Sequence, residues 1–313
     1  MAASLEDTGV TYGELADLEA EFEDVETEII RKQFEMTKPL YEKRERLVSQ
    51  IPNFWPLVLE QAPPDIDEWI QPTDSAVLLM SLTRLSVSHF EIENGGNGEP
   101  RSVSIRWEFN ENDYFEDRVL EKKFWYRRSP EGYTALVSEP VEIRWKEGKD
   151  LTNGLLSLVK AVWDEEQQNG VTANKKEKKP LTAKQQALKA KIEEVGLGGQ
   201  SFFCWFGYIG DRISAEESAA ASAKEAENRA RKRAGQPALP EAEEKEDEDD
   251  EDDDDDELEI FPAGEEVAIA ISDDLWPGAL KYFIHAQEDD EISDREFEEM
   301  MDQDSDEDDE MEE

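Results

Sequence analysis

Residues 12–51 constrain this chain more than any other stretch, because they read as one helix of about 60 Å at about 1.5 Å per residue. Thr11, with Glu14 three residues on, supplies a capping box, and Val10 can staple against Leu15. Leu15, Leu18, Phe22, Val25 and Ile29 then alternate by three and four, the spacing of a coiled-coil seam. Beyond Ile29 the stripe slips by four residues and continues through Gln33, Met36, Leu40, Leu47 and Ile51, a stutter that locally unwinds a supercoil. Pro39 removes one backbone hydrogen bond and should bend the rod without ending it, whereas Ile51-Pro52 should stop it.

Charge is divided along this helix. Residues 14–28 carry eight acids and no base, and residues 31–46 carry six bases against three acids. The division suits the helix dipole, and it suits an antiparallel partner whose acidic half lies against the basic half of the first copy. A parallel pair would set acid beside acid. A helix laid along its own domain is the other solution. The stripe, however, asks for more apolar partner than the next hundred residues offer. The expectation is an antiparallel homodimer closed by Leu15, Leu18, Phe22, Val25, Ile29, Met36, Leu40 and Leu47.

With 313 residues, 37% of them hydrophobic, the chain can bury one substantial core. Its net charge of −46 repels phosphate, which argues against strong direct nucleic-acid binding and favours basic partners. A single cysteine, Cys204, excludes an internal disulfide and fits a reducing compartment. No signal peptide and no run of about 18 apolar residues is read, so neither secretion nor a membrane partner is expected. Two runs hold most of the charge: residues 241–259 are net −15 and residues 286–313 net −16. Both lack the apolar content to fold and are expected to be disordered.

Taken in order, residues 1–10 should fray, 11–51 form the dimerisation helix, and 52–284 an α+β domain. Polar insertions are expected at about 168–198 and 213–258, with an acidic tail over 285–313. Within the domain, Asp74 should cap a short helix running through Leu82. From Arg84 the period becomes two: Leu85 and Val87, then Phe90 and Ile92 out of phase, which predicts a bulge near His89. Val103, Ile105, Trp107 and Phe109 alternate with polar residues as a strand with one wet face. Residues 120–127 and 141–145 read as a third and a fourth strand, giving a four-stranded antiparallel meander. A helix over 151–163 follows, with Leu155, Leu158, Val159 and Val162 on one side. Residues 175–191 are net +6, residues 201–206 return to the core, and an alanine-rich helix over 215–233 ends in basic residues.

Five ordered motifs carry a family resemblance. They are Ile51-Pro52-Asn53-Phe54-Trp55, Asp113-Tyr114-Phe115-Glu116, the segment 145–152, the aromatic run Phe202-Phe203-Cys204-Trp205-Phe206, and Asp273-Asp274-Leu275-Trp276-Pro277 with Tyr282. Together they resemble the nucleosome assembly protein family, in its SET/template-activating-factor branch. The resemblance implies a long helix forming an antiparallel dimer, and an "earmuff" domain with a four-stranded antiparallel sheet packed by helices. It implies chaperoning of core histones, H3–H4 or H2A–H2B, through an acidic underside, and hence a nuclear role with shuttling to the cytoplasm. By position relative to Trp276, Glu265 and Glu266 match the acidic pair of that underside, and Asp273 and Asp274 extend it. For the latter two, an N-cap ahead of Leu275 is the structural alternative. The branch usually has a shorter connection where residues 213–258 stand here, and hydroxyl residues where Cys204 and Gly207 stand.

Chemistry of other kinds finds little purchase. The two histidines, His89 and His285, sit near no plausible nucleophile, one cysteine cannot build a zinc site, and the cluster from Asn94 to Gly98 lacks the lysine and helix of a phosphate loop. No enzyme, no metal and no cofactor is expected. The lysine-rich stretch and the basic residues at 229–233 read as import signals, as minor contacts to DNA or to the chain's own acids, or as solvated loops. Beside the histone chaperone stand two other functions. One is a regulatory subunit, partner of a histone acetyltransferase or phosphatase inhibitor, as relatives in the branch are described. The other is a generic acidic carrier of basic proteins.

Overall fold

The structure is a computed structural model and describes residues 10–169, 180–196, 199–233 and 258–288. Residues 1–9, expected to fray, lie outside the described residues, as do 241–257 of the first acidic run and 289–313 of the expected tail.

The long helix α1 spans Tyr12–Val48. Its capping box forms as read: the Glu14 N–H donates to Thr11 Oγ1 at 3.2 Å, and the Thr11 N–H donates to Glu14 Oε2 at 2.8 Å. The helix runs through Pro39 and ends three residues before Ile51, in a turn over residues 49–52. Its buried and half-buried positions include Ala20, Glu23, Thr27, Arg31, Phe34, Tyr41, Arg44 and Val48, a row spaced by three, four or seven, with Asp17, Ile30, Thr37, Lys38 and Glu45 half-buried beside it. This second stripe faces the chain's own domain. Phe34 meets His89 edge-on, Tyr41 meets Trp276, and the Arg31 guanidinium donates to the Gly98 carbonyl. One face of the helix thus packs along its own domain, and another leaves the apolar stripe uncovered.

After α1 come α2 (Phe54–Glu60), α3 (Pro64–Asp67) and α4 (Pro72–Ser81). Asp74 stands at the third position of α4 and accepts from the Gln71 N–H at 3.0 Å, so it closes the helix start from inside rather than at the cap itself.

Four strands pair antiparallel in the order β1 (Leu82–Ser88), β2 (Val103–Phe109), β3 (Val119–Arg128) and β4 (Thr134–Ser138). The register shift in β1 lies between Leu82 and Arg84, and the strand ends before His89, where a bulge was expected. The fourth strand is also displaced. Residues 141–145 alternate as a strand would, but only Trp145 makes a bridge, to Phe115. The Val141 N–H is used instead by the Phe206 carbonyl, at 2.8 Å. Residues 134–138 take the ladder, set up by the turn around Gly132, whose φ of 102° suits glycine.

One face of the sheet packs on an aromatic centre. Residues Phe202–Gly207 form a 3₁₀ segment that is buried along its whole length. Trp205 stacks on Phe202 with ring centroids 5.8 Å apart, and Trp107 meets both edge-on. Helix α5 (Leu155–Asn169) covers this centre with Leu155, Leu156, Val159 and Val162. The described parts of both polar insertions are also helical. Helix α6 (Ala183–Val195) buries Leu188 and Ile192, and α7 (Ala215–Arg233) packs against β3. The described residues end with α8 (Gly264–Ile269), a π-helical turn over Ala270–Leu275, and helix again over 279–288. This last helix buries Ala286 and so takes 285–288 out of the expected tail, just as buried Leu258 takes the end of the first acidic run into the domain.

Candidate functional site

The acidic residues singled out by sequence all lie on the closing helix. The Trp276 N–H donates to the Ile271 carbonyl, so an extra residue is accommodated in the turn that carries Asp273 and Asp274. Both aspartates are exposed inside that π turn rather than at a helix N-terminus, which removes the capping alternative. Asp274 Oδ2 accepts from the Tyr282 hydroxyl at 2.9 Å, and Asp273 Oδ1 accepts from Ser272 Oγ at 3.0 Å. Glu266 is exposed in the first turn of α8, beside Glu265.

Glu265 differs from the other three. It is half-buried, and its Oε1 accepts from the Leu136 N–H on β4 at 3.2 Å. Burial raises its pKa, the Leu136 N–H opposes that, and the negative charges of Asp211 and Glu266 raise it further. The residue therefore ties α8 to an edge strand while standing among other carboxylates. Glu259 belongs to the same group: its Oε2 accepts from the Ile209 N–H at 3.1 Å, and its field, with those of Glu265, Asp211 and Glu266, raises the pKa of the buried Tyr208 hydroxyl beyond what burial alone does.

Beneath this group lies Lys122 of β3, fully buried. Its ammonium donates to the carbonyls of Glu139, Phe206 and Tyr208 at 2.9, 3.1 and 2.8 Å. Burial pushes its pKa down to about 7, against the opposing fields of Glu259 and Glu139. Three acceptors meet three ammonium protons, which stitches β3 to the aromatic segment. Alternation along β3 marks Lys122 as inward-facing, but a lysine at an inward position reads from sequence as an error of phase.

The eight residues expected at a dimer seam share one condition. Leu15, Leu18, Phe22, Val25, Ile29, Met36, Leu40 and Leu47 are all exposed in the single chain, from 44% for Leu15 to 65% for Met36. With Ile51, in the turn that follows, they form an apolar stripe along and just past α1 that its own domain does not cover.

Among the described residues no group of three or more His, Cys, Asp or Glu side chains is placed to hold a metal ion, and no helix is long and apolar enough to cross a membrane.

Comparison with known proteins agrees with this architecture. The chain is 39% identical over 153 residues to a Schizosaccharomyces pombe protein named for nucleosome assembly, covering 45% of this chain and 59% of that one. It is 35% identical over 131 residues to protein SET of Drosophila melanogaster, covering 41% and 45%. The chain thus spans about half the length of the curated relatives it matches. Among solved structures, a mutant of Ccp1 superposes with a TM-score of 0.51 at 26% identity, covering 90% of this chain and 97% of that one. The Vps75 histone chaperone shares the fold, with a TM-score of 0.51 at 20% identity over 88% and 97% of the two chains. The family model of nucleosome assembly proteins matches residues 47–286, so more than half of the chain is accounted for by one family. The chain belongs to the nucleosome assembly protein family.

Proposed function

We propose that this protein is a histone chaperone that works as an antiparallel homodimer in the nucleus. The observation that carries the reading is the set of exposed carboxylates on the rigid closing helix of a nucleosome assembly protein domain: Glu266, Asp273 and Asp274, with Glu265 at its anchored edge. Carboxylates held on packed backbone lose less conformational entropy on pairing with histone Arg or Lys than those on a flexible tail. The acidic runs, together net −31, add long-range attraction that salt screens. Binding shields histone charge, and competition with DNA phosphate then governs release. The apolar stripe from Leu15 to Leu47 supports dimerisation, because a row of eight exposed apolar residues is costly to leave in water.

Isothermal titration of H3–H4 and of H2A–H2B into the full chain, and into a chain lacking residues 289–313, which spares the helix that buries Ala286, tests the proposal. Binding that survives truncation with a weaker salt dependence is the expected result. Binding that vanishes with the tail would instead mark a generic acidic carrier of basic proteins.

A further inference from the structure

Helix α7 does more than fill a connection. It starts on Ser214, whose Oγ accepts from the Glu217 N–H at 3.1 Å, and it docks on the sheet through the buried Ser218, whose Oγ accepts from the Arg128 N–H at 2.9 Å. Two turns on, Glu225 pairs with Arg128 at 2.9 Å and with Arg229 at 3.1 Å. Arg229 then reaches across to Asp24 on α1 at 3.2 Å. Glu23, the neighbour of Asp24, pairs with Arg128 at 3.4 Å and with Arg101 at 2.9 Å. Arg101 in turn lies over the Tyr126 ring, 3.8 Å from its centroid. The acidic half of α1, β3 and the end of α7 are thus joined around one cleft of about 310 Å³ by carboxylates and guanidinia in alternation. Burial raises the pKa of Glu23, but its hydrogen bond to Arg101 and the fields of Arg128, Arg101 and Arg229 outweigh that and lower it.

The contact sits apart from the exposed apolar stripe. Asp24 follows Phe22 by two residues, which at about 100° per residue puts it on the far side of α1. A partner helix on the stripe therefore leaves the contact in place. Glu23 and Asp24 belong to a run of eight acids with no base of its own over residues 14–28, and the cations that meet them come from elsewhere in the chain.

We propose that α7 is an ionic latch. Through Arg229 it holds the acidic half of α1 against the sheet and competes, in cis, with basic partners for that half of the rod. The competition rests on the reading of the protein as a carrier of basic partners, whereas the latch itself does not. Its ion pairs are only partly buried, so salt and competing guanidinium groups can open it.

The experiment has two readouts on the full chain. In hydrogen exchange, Arg229→Glu should speed exchange of amides in residues 14–28 and 219–233 several-fold, and adding Asp24→Arg should restore protection. Unchanged exchange, or no restoration by the swapped pair, overturns the latch. In binding, Arg229→Gln should take up a fluorescein-labelled arginine-rich peptide about threefold or more tightly than the unmodified chain. The control is Lys224→Gln, an exposed residue on the same helix with the same change of charge. Equal affinities for the two variants overturn the competition. No peptide binding by any of these chains instead overturns the basic-partner reading and the competition with it, and the exchange result alone then decides the latch.

Discussion

The Arg44 guanidinium lies over the Trp276 ring, 4.5 Å from its centroid, and so joins the rod to the closing helix that carries the acidic surface. The same guanidinium lies 4.8 Å from the Tyr41 ring and 5.8 Å from the Trp55 ring, and it donates to the Trp276 carbonyl. Burial lowers its pKa, opposed by Tyr41 and Glu45. An arginine caged by three aromatic rings uses a flat, weakly hydrated cation that lysine cannot imitate. Arg44→Lys should therefore cost about 1–2 kcal/mol and Arg44→Ala about 3 kcal/mol, read from denaturant midpoints. Equal stability of Arg44→Lys and the unmodified chain would show that charge alone matters there.

Lys122 gives a pH signature. Its ammonium is buried with a pKa of about 7, whereas in the unfolded chain it returns to about 10.5. Between those values the unfolded state binds the extra proton, so this residue's contribution makes the native state more stable as pH rises from about 7 towards 10.5, and its burial penalty is fully present below about 7. Lys122→Met would remove that slope and leave three carbonyls without their donor, a loss of about 3 kcal/mol or more. Chemical denaturation at pH 7 and pH 9 checks it: the stability difference between the two proteins should widen at the higher pH.

What the sequence made legible follows from periodicity. The apolar stripe of α1, the alternation of β2 and the dense aromatic run at 202–206 each repeat a strong pattern, and each appears where it was read. The second stripe of α1 escaped because its members, Glu23, Thr27, Arg31 and Arg44 among them, are polar groups buried by specific partners rather than by hydrophobicity. Helix α6 escaped for a related reason: Leu188 and Ile192 are its only buried residues, and lysines surround them. At the candidate site, the acids were visible as letters. That Glu265 is spent on the Leu136 N–H while Glu266 is free to face solvent depends on where β4 falls, and residues 141–145 offered the more regular strand pattern.

The rod offers a direct test of assembly. Replacing Leu18, Phe22 and Val25 together with glutamate should leave one chain per particle in light scattering, since burying each apolar side chain contributes about 1.5–3 kcal/mol. The stripe is exposed in the single chain, so circular dichroism should show the helix and domain intact. A single-chain particle for the unmodified protein would end the dimer proposal.

Glu265 and Glu266 can be told apart by what each loses. Glu265→Gln keeps an oxygen for the Leu136 N–H and removes a half-buried charge, so stability at neutral pH should be unchanged or slightly higher. Because burial raises its folded pKa, the charged form costs stability at neutral pH, and that cost is relieved as pH falls through the folded pKa. Glu265→Gln should accordingly flatten the stability profile on its acidic side, while Glu265→Ala should cost about 1 kcal/mol at pH 7.

The sharpest test of the surface compares acids on the closing helix with acids of the tail sequence. Glu266 and Asp273 are exposed on helical backbone that the core holds through Val267, Ile271 and Leu275, all fully buried. Glu312 and Glu313 lie at the far end of the acidic tail sequence. Glu266→Lys with Asp273→Lys changes the net charge by the same amount as Glu312→Lys with Glu313→Lys, so long-range attraction falls equally in both. Any further loss measures contacts made at the fixed positions, where charge-assisted pairs with histone Arg or Lys form at lower entropic cost. The helix pair should therefore cost about tenfold or more in histone affinity and the tail pair about threefold or less, at about 0.15 M salt, with dimerisation unchanged in both. Equal losses would reduce binding to diffuse electrostatics and leave the closing helix without a special part in it.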